Sequence, residues 1–213
     1  MFINHKLSRR GVLAGGAIAG LSGTIGLSAL QRPLWASTPS KADAAHDVEI
    51  LNTALFYENQ AVWAYGVAAS ELSDSEVGRA VLAIGLANQA DHKVHRDTLK
   101  GVITSLGGTP IMPRDSYDLS TYLESGEGNL DSDVNIAKLA LALETDAAIA
   151  YGVEAAKLKT PALVTAAASI ATAESAHATV IRAAFASLGI DIQAVAAPFV
   201  NADTRDQWVI NVS

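Results

Sequence analysis

Glu174 and His177 stand three residues apart, in the run Glu174-Ser175-Ala176-His177. On a helix this spacing puts a carboxylate and an imidazole on one face, one turn apart. One helix of a bundle can in this way offer two ligands to a single metal ion. Three further positions suit the same chemistry: Glu58, Glu144 and the pair His92/His95. Each falls in a stripe otherwise filled by apolar side chains. A lone carboxylate in such a stripe is costly unless it is paired or ligating. Carboxylate and neutral imidazole suit iron, manganese or zinc, and the residue types alone do not choose among them. The 213 residues include no cysteine, which excludes disulfides, thiolate-bound zinc and thiol catalysis.

Four helices must position these groups. Over residues 42–72, Val48, Leu51, Leu55, Glu58, Val62, Tyr65, Ala69 and Leu72 recur at alternating spacings of three and four, which predicts one buried stripe. Ser73 and Glu76 have the spacing of a capping box, with Ser73 at the N-cap of a second helix over 75–106. Its stripe holds Val81, Gly85, His92, Leu99, Ile103 and Leu106, and Gly107-Gly108 stops it. Residues 109–130 carry Pro110, Pro113, Gly126 and Gly128 and no long helical stripe. A third helix follows over 132–158, with Ala137, Leu141, Glu144, Ala148, Tyr151 and Leu158 on one face. Thr160-Pro161 fits the N-cap and N1 positions of a fourth, which buries Leu163, Ile170, Glu174, His177, Ile181, Phe185 and Leu188 and ends at Gly189. The rest, 190–213, reads as an extended tail laid against the bundle.

The long connection has a geometric use. A helix of about thirty residues is roughly 45 Å long. About twenty-two extended residues reach up to roughly 75 Å. The connection can therefore run the height of the bundle and start the third helix at the opposite end. The expected fold is all-α, a four-helix bundle with one long crossover between helices 2 and 3.

The two halves of the chain echo one another. Ala64-Tyr65-Gly66-Val67 recurs as Ala150-Tyr151-Gly152-Val153, and Glu58 and Glu144 each precede the tyrosine by seven. The second and fourth helices end in Ser105-Leu106-Gly107 and Ser187-Leu188-Gly189. Counting back from these ends sets His95 on His177 and His92 on Glu174, with Leu99 on Ile181 and Ile103 on Phe185. A rival register sets His92 on His177 and Gln89 on Glu174, but places Lys100 opposite Phe185. His92 is a candidate ligand in both; the first register, with His95 as its partner, is preferred.

Charge is unevenly placed. Residues 1–36 hold Lys6, Arg9, Arg10 and Arg32 and no acid, so without them the formal charge moves from −7 to −11. So acidic a domain, with no basic stripe, is a poor nucleic-acid binder. Ser8-Arg9-Arg10-Gly11-Val12-Leu13 before the uncharged stretch 11–30 resembles a twin-arginine export signal, with Ala36 as the last residue before cleavage. The domain expectation is a signal over 1–36 and one domain over 37–213, with a helical core of 42–189. An uncleaved membrane anchor is the alternative, since about twenty uncharged residues can just span a bilayer. Export places the protein in the periplasm.

Through Tyr57-Glu58, Ala64-Tyr65-Gly66-Val67 and His92-Lys93-Val94-His95-Arg96-Asp97, residues 42–189 resemble the ferritin-like superfamily, and in particular exported bacterial ferritin-like domains of unassigned function. The resemblance implies a glutamate from the first and third helices and a Glu-x-x-His from the second and fourth. Glu58, Glu144 and Glu174/His177 match. The second helix departs, because neither His92/His95 nor Gln89/His92 supplies the second glutamate that would bridge two metals. Two functions follow. One is a metal protein holding one or two ions of iron or manganese, or zinc, at Glu58, His92, His95, Glu144, Glu174 and His177. It would be a metal-dependent oxidoreductase for oxygen or peroxide, with Tyr65 or Tyr151 as a nearby hydrogen-bond donor. The other is a metal-free helical module with a binding or stress-protection role, its polar layer satisfied internally. A hydrolase has no Gly-x-Ser-x-Gly or related signal. The expected partners include no nucleic acid and no membrane once the signal is removed. An export signal and a tail fit poorly with cage-forming storage and leave a homodimer open.

Overall fold

The computed structural model describes residues 39–211. The expected export signal and its cleavage point lie outside the described residues. Among the described residues there are four long helices and no strand: α1 (Lys41–Glu71), α2 (Glu76–Ser105), α4 (Asp133–Ala155) and α5 (Pro161–Ser187). A one-turn helix, α3 (Ser120–Glu124), lies in the crossover. The tail holds a 3-10 turn, Ala202–Thr204, and a last turn of helix, α6 (Arg205–Trp208), so it is not wholly extended. None of these helices is long and apolar enough to cross a membrane.

Helix ends follow local chemistry, with one correction. The N-cap of α2 is Ser75, not Ser73: the Ser75 hydroxyl accepts the Gly78 N–H at 2.9 Å. The Ser73 hydroxyl instead donates to Asp133 at 2.6 Å. Asp133 also accepts the Ser73 N–H at 2.8 Å and the Ser75 hydroxyl at 2.9 Å. A carboxylate from the start of α4 thus draws both serines, and the expected capping box gives way to a tertiary contact. At the other end of α2, Gly107 adopts φ +81°, and the Gly108 N–H reaches back to the Ile103 carbonyl at 2.9 Å.

These contacts fix the topology. Asp133 beside Ser73 places the starts of α2 and α4 together, so these two helices run parallel. The starts of α1 and α5 meet at the opposite end. There Asp47, fully buried, accepts the backbone N–H groups of Lys159 (2.8 Å) and Thr160 (3.0 Å). Thr160 occupies the N-cap of α5 as expected, but its side chain makes no capping bond; Asp47 of α1 satisfies the local backbone instead. α1 packs chiefly on α2, and α4 on α5. Residues 106–132 are the crossover between these two hairpins.

The crossover climbs along α1. Asn52 donates to the Thr109 carbonyl (3.1 Å) and accepts the Ile111 N–H (2.9 Å), and Gln60 donates to the Asp118 carbonyl (3.3 Å). Buried Tyr117 packs against Phe56 and Trp63. Gly128 has φ +118°, and a Cβ there would sit 2.3 Å from the Leu139 backbone nitrogen. Only glycine lets the crossover touch α4 so closely.

The apolar core lies in two clusters. Leu51, Leu55, Leu99, Ile103, Tyr151, Leu158, Leu163 and Ile170 fill one; Ala137, Leu141, Ala178, Ile181 and Phe185 fill the other. The predicted apolar stripe positions supply nearly all of these residues, but Leu188, expected to be buried at the end of α5, is 51% exposed. The candidate ligands form a polar layer of their own. The tail closes against the bundle through Arg182, which donates to the carbonyls of Gln193 (2.9 Å) and Trp208 (2.6 Å).

Candidate metal centre

All six predicted ligand residues converge in the bundle core. Glu58, His92, Glu144, Glu174 and His177 are buried, and the His95 side chain is only 13% exposed. Each long helix contributes: α1 gives Glu58, α2 gives His92 and His95, α4 gives Glu144, and α5 gives Glu174 and His177. Every one sits in the apolar stripe of its helix, so the burial that builds the core also carries the polar groups inward.

The groups fall into two overlapping sets of potential ligands: Glu58, His92, His95 and Glu174, and then His92, Glu144, Glu174 and His177. Two residues are common to both, and each turns a different atom to each side. His92 sets Nδ1 2.9 Å from Glu58 Oε2 and Nε2 3.1 Å from Glu144 Oε1. Glu174 sets Oε1 3.0 Å from His95 Nδ1 and Oε2 3.2 Å from His177 Nδ1. His177 Nδ1 is also 3.1 Å from Glu144 Oε2.

Gln89 stays outside the cluster. It donates to the Val62 carbonyl at 2.9 Å and accepts from Lys93 at 2.7 Å. The structure therefore brings in His95, as the preferred register expects. His46 is exposed, against the Lys157 carbonyl.

The tyrosines cross between the halves. The Tyr65 hydroxyl of α1 donates to Glu144 of α4, and the Tyr151 hydroxyl of α4 donates to Glu58 of α1. Sequence reasoning missed two neighbours. Asn88 donates to the Tyr65 hydroxyl (3.0 Å) and lies 3.4 Å from Glu144. Asp91, on the solvent side, has Oδ2 3.1 Å from His177 Nε2. Asn88 was findable, since it fills the gap between Gly85 and His92 in the α2 stripe. Asp91 gave no signal, because an exposed acid before a histidine is ordinary.

The electrostatics follow from burial among opposite charges. Burial pushes Glu58 up, but the His92 and His95 imidazoles beside it outweigh this and hold it at about 2. Burial likewise opposes ionisation of Glu144, and His92 and His177 bring it well below the usual carboxylate range. Glu174 goes the other way: burial, helped by the charge of Glu144, raises it against the pull of His177 and His95. Burial disfavours the protonated imidazoles, yet the carboxylates raise His95 to about 9, His177 to about 10, and His92 well above its ordinary value. Burial, then the neighbouring carboxylates, raise both Tyr65 and Tyr151, so they stay neutral donors.

One contact does not fit a closed hydrogen-bond network. His95 Nδ1 and Glu174 Oε1 are 3.0 Å apart but misaligned, and both are buried without a hydrogen-bond partner. Buried polar atoms are seldom left this way. A nitrogen and a carboxylate oxygen sharing one spot, with Glu58 Oε1 3.6 Å from the same nitrogen, is a donor set that a divalent transition ion accepts. The residues fit a metal.

Comparison with curated proteins and with solved structures returned no match for the chain. A family model, however, matches residues 46–187, from the first turns of α1 to the end of α5. With its crossed four-helix core and inward-facing carboxylates and imidazoles, this chain belongs to the ferritin-like domain family.

Proposed function

We propose that the bundle core holds a pair of transition-metal ions and carries out redox chemistry on oxygen or peroxide. The observation behind this reading is the two overlapping buried ligand sets that share His92 and Glu174, with His95 Nδ1 and Glu174 Oε1 3.0 Å apart but not aligned for a hydrogen bond. Glu58, His95 and one face of His92 and of Glu174 would hold one ion; Glu144, His177 and the other faces would hold the second. Iron or manganese suits this set, and zinc would bind without redox chemistry. A redox-active ion would supply the electron transfer. The chain's own part is to fix the ligands. Tyr65 and Tyr151 anchor Glu144 and Glu58, and Asn88 orients Tyr65. Asp91 holds the outer nitrogen of His177, the orienting role that partners of metal-bound histidines commonly play. The twin-arginine-like run Ser8-Arg9-Arg10 supports a periplasmic location for this activity, by a route suited to a protein loaded before export.

A second reading has its own support. The remaining cluster atoms are largely paired within the protein, with three imidazoles against three carboxylates, as in a metal-free module. Elemental analysis of the protein, purified without chelator and reconstituted with iron and manganese, decides. About two equivalents per chain are expected. Less than about a tenth of an equivalent of any transition metal would leave only the metal-free module.

A further inference from the structure

A cavity of about 390 Å³ lies between α1 and α4, roofed by the crossover, and ends on the polar cluster. It exists because the facing residues are small: Ala61, Ala64 and Ala68 on α1, Ala140, Ala147 and Ala150 on α4. A cleft of this size, partly open to solvent and mostly apolar with a few convergent polar groups, has the dimensions of a small-molecule site. Trp63, Leu139, Leu143 and Tyr122 form its walls. Tyr57, also in its lining, is 54% exposed. Glu58, His92 and Glu144 form the polar end.

The polar groups select the ligand. Glu58, Glu144, Asp146 and Glu154 line the cavity, and no lysine or arginine stands among the described residues that do. Arg205 approaches from outside, but its guanidinium is committed to Asp146 and Glu127. The cations near the lining are already paired: His92 with Glu58 and Glu144, Arg205 with Asp146 and Glu127, Lys157 with Glu154. A carboxylate or phosphate would therefore find no free positive partner in a low-dielectric setting. The inner end presents carboxylate acceptors, so a matching ligand end must donate a hydrogen bond. We infer that the α1–α4 cavity binds a neutral, largely apolar alcohol or phenol, body against Trp63 and Leu143, hydroxyl toward Glu58 and Glu144. That this ligand is the substrate rests on the metal reading above; that it binds does not.

The test titrates the full-length protein with 1-decanol and, separately, with decanoate, following tryptophan emission. Metal content is measured on the same samples, metal-loaded and chelator-treated. Saturable binding of one decanol per chain is expected, with decanoate at least tenfold weaker. The emission change should vanish in Trp63→Phe, which separates it from the other tryptophans. Ala147→Phe and Ala61→Phe each fill the cavity and should weaken decanol at least tenfold, with helical content and metal stoichiometry kept. Two substitutions on different helices guard against one failing to fold. Absence of saturable binding, equal affinity for decanoate, or indifference to both filling substitutions overturns the assignment. A metal-free protein that still binds decanol in this pattern sinks the metal reading and leaves the ligand site standing. A metal-loaded protein that does not bind it sinks the ligand site alone.

Discussion

His92 Nε2 lies 3.8 Å from Glu174 Oε2, and the two side chains together form the seam between the two ligand sets. A glutamate at position 92 would make the pair symmetric; the imidazole reaches both sides with two nitrogens instead. His92→Ala should therefore lower the stoichiometry of both ions, not only one. His92→Glu should restore about two equivalents by elemental analysis, because a carboxylate can also reach both sides. Retention of two equivalents by the alanine variant would remove His92 from the ligand set.

His95 and Gln89 make the complementary pair. His95→Ala is expected to lose the ion on the Glu58 side and keep the one at Glu144 and His177. Gln89→Ala, which breaks only the contacts to Val62 and Lys93, should keep both. Inductively coupled plasma measurements on the two variants check this directly, and the reverse outcome would restore the rival alignment of the helices.

Glu174 is the one core carboxylate that burial and its neighbour Glu144 raise. Its uncharged isostere should cost the metal-free fold little. Glu174→Gln is predicted to lose metal binding while the melting temperature of the metal-free protein changes by the equivalent of less than about 1 kcal/mol. A large loss of metal-free stability would mean that the Glu174 charge holds the bundle together.

Asp91 is well exposed yet touches His177. Asp91→Asn should weaken metal affinity by roughly 10–100-fold without changing the number of ions bound. Competition against a chelator of known affinity measures it. Unchanged affinity would reduce Asp91 to a surface residue.

Arg205 clamps the tail and the crossover to α4, with contacts of 2.6 and 2.7 Å to Glu127 and 2.6 and 2.8 Å to Asp146. Its guanidinium lowers Glu127 from the ordinary value of 4.5. A carboxylate depressed in the folded state contributes stability that is complete above its unfolded value and lost as pH falls through the folded one. The wild type should accordingly lose stability below about pH 4.5. Arg205→Ala should cost roughly 1–3 kcal/mol at neutral pH and remove that share of the acid sensitivity. Thermal melts of both proteins between pH 3 and 7 provide the comparison.

What the sequence by itself determined is the set of elements and the faces they bury. The 3-4 spacing through Leu51, Leu55 and Glu58 follows from helix geometry, and one apolar stripe must go inward whatever its partner. Glu58, Glu144, Glu174 and His177 were legible for this reason, as polar residues in places where apolar ones are the rule. The length of the connection before Asp133 likewise carried the crossover topology. What only the tertiary structure decided lies between helices. Ser75 rather than Ser73 caps α2 because Asp133, about sixty residues away in the chain, competes for the serines. Tyr65 serves Glu144 and not Glu58, its neighbour on the same helix face, because residues two turns apart on one helix are too far apart to bond, whereas opposite helices meet. His95 was separated from Gln89 in the same way: a register within one helix is fixed by what the other three present to it. The alanine-lined cavity beside the site depended on the same distinction, since an alanine reads as a good helix former until the residue facing it is known.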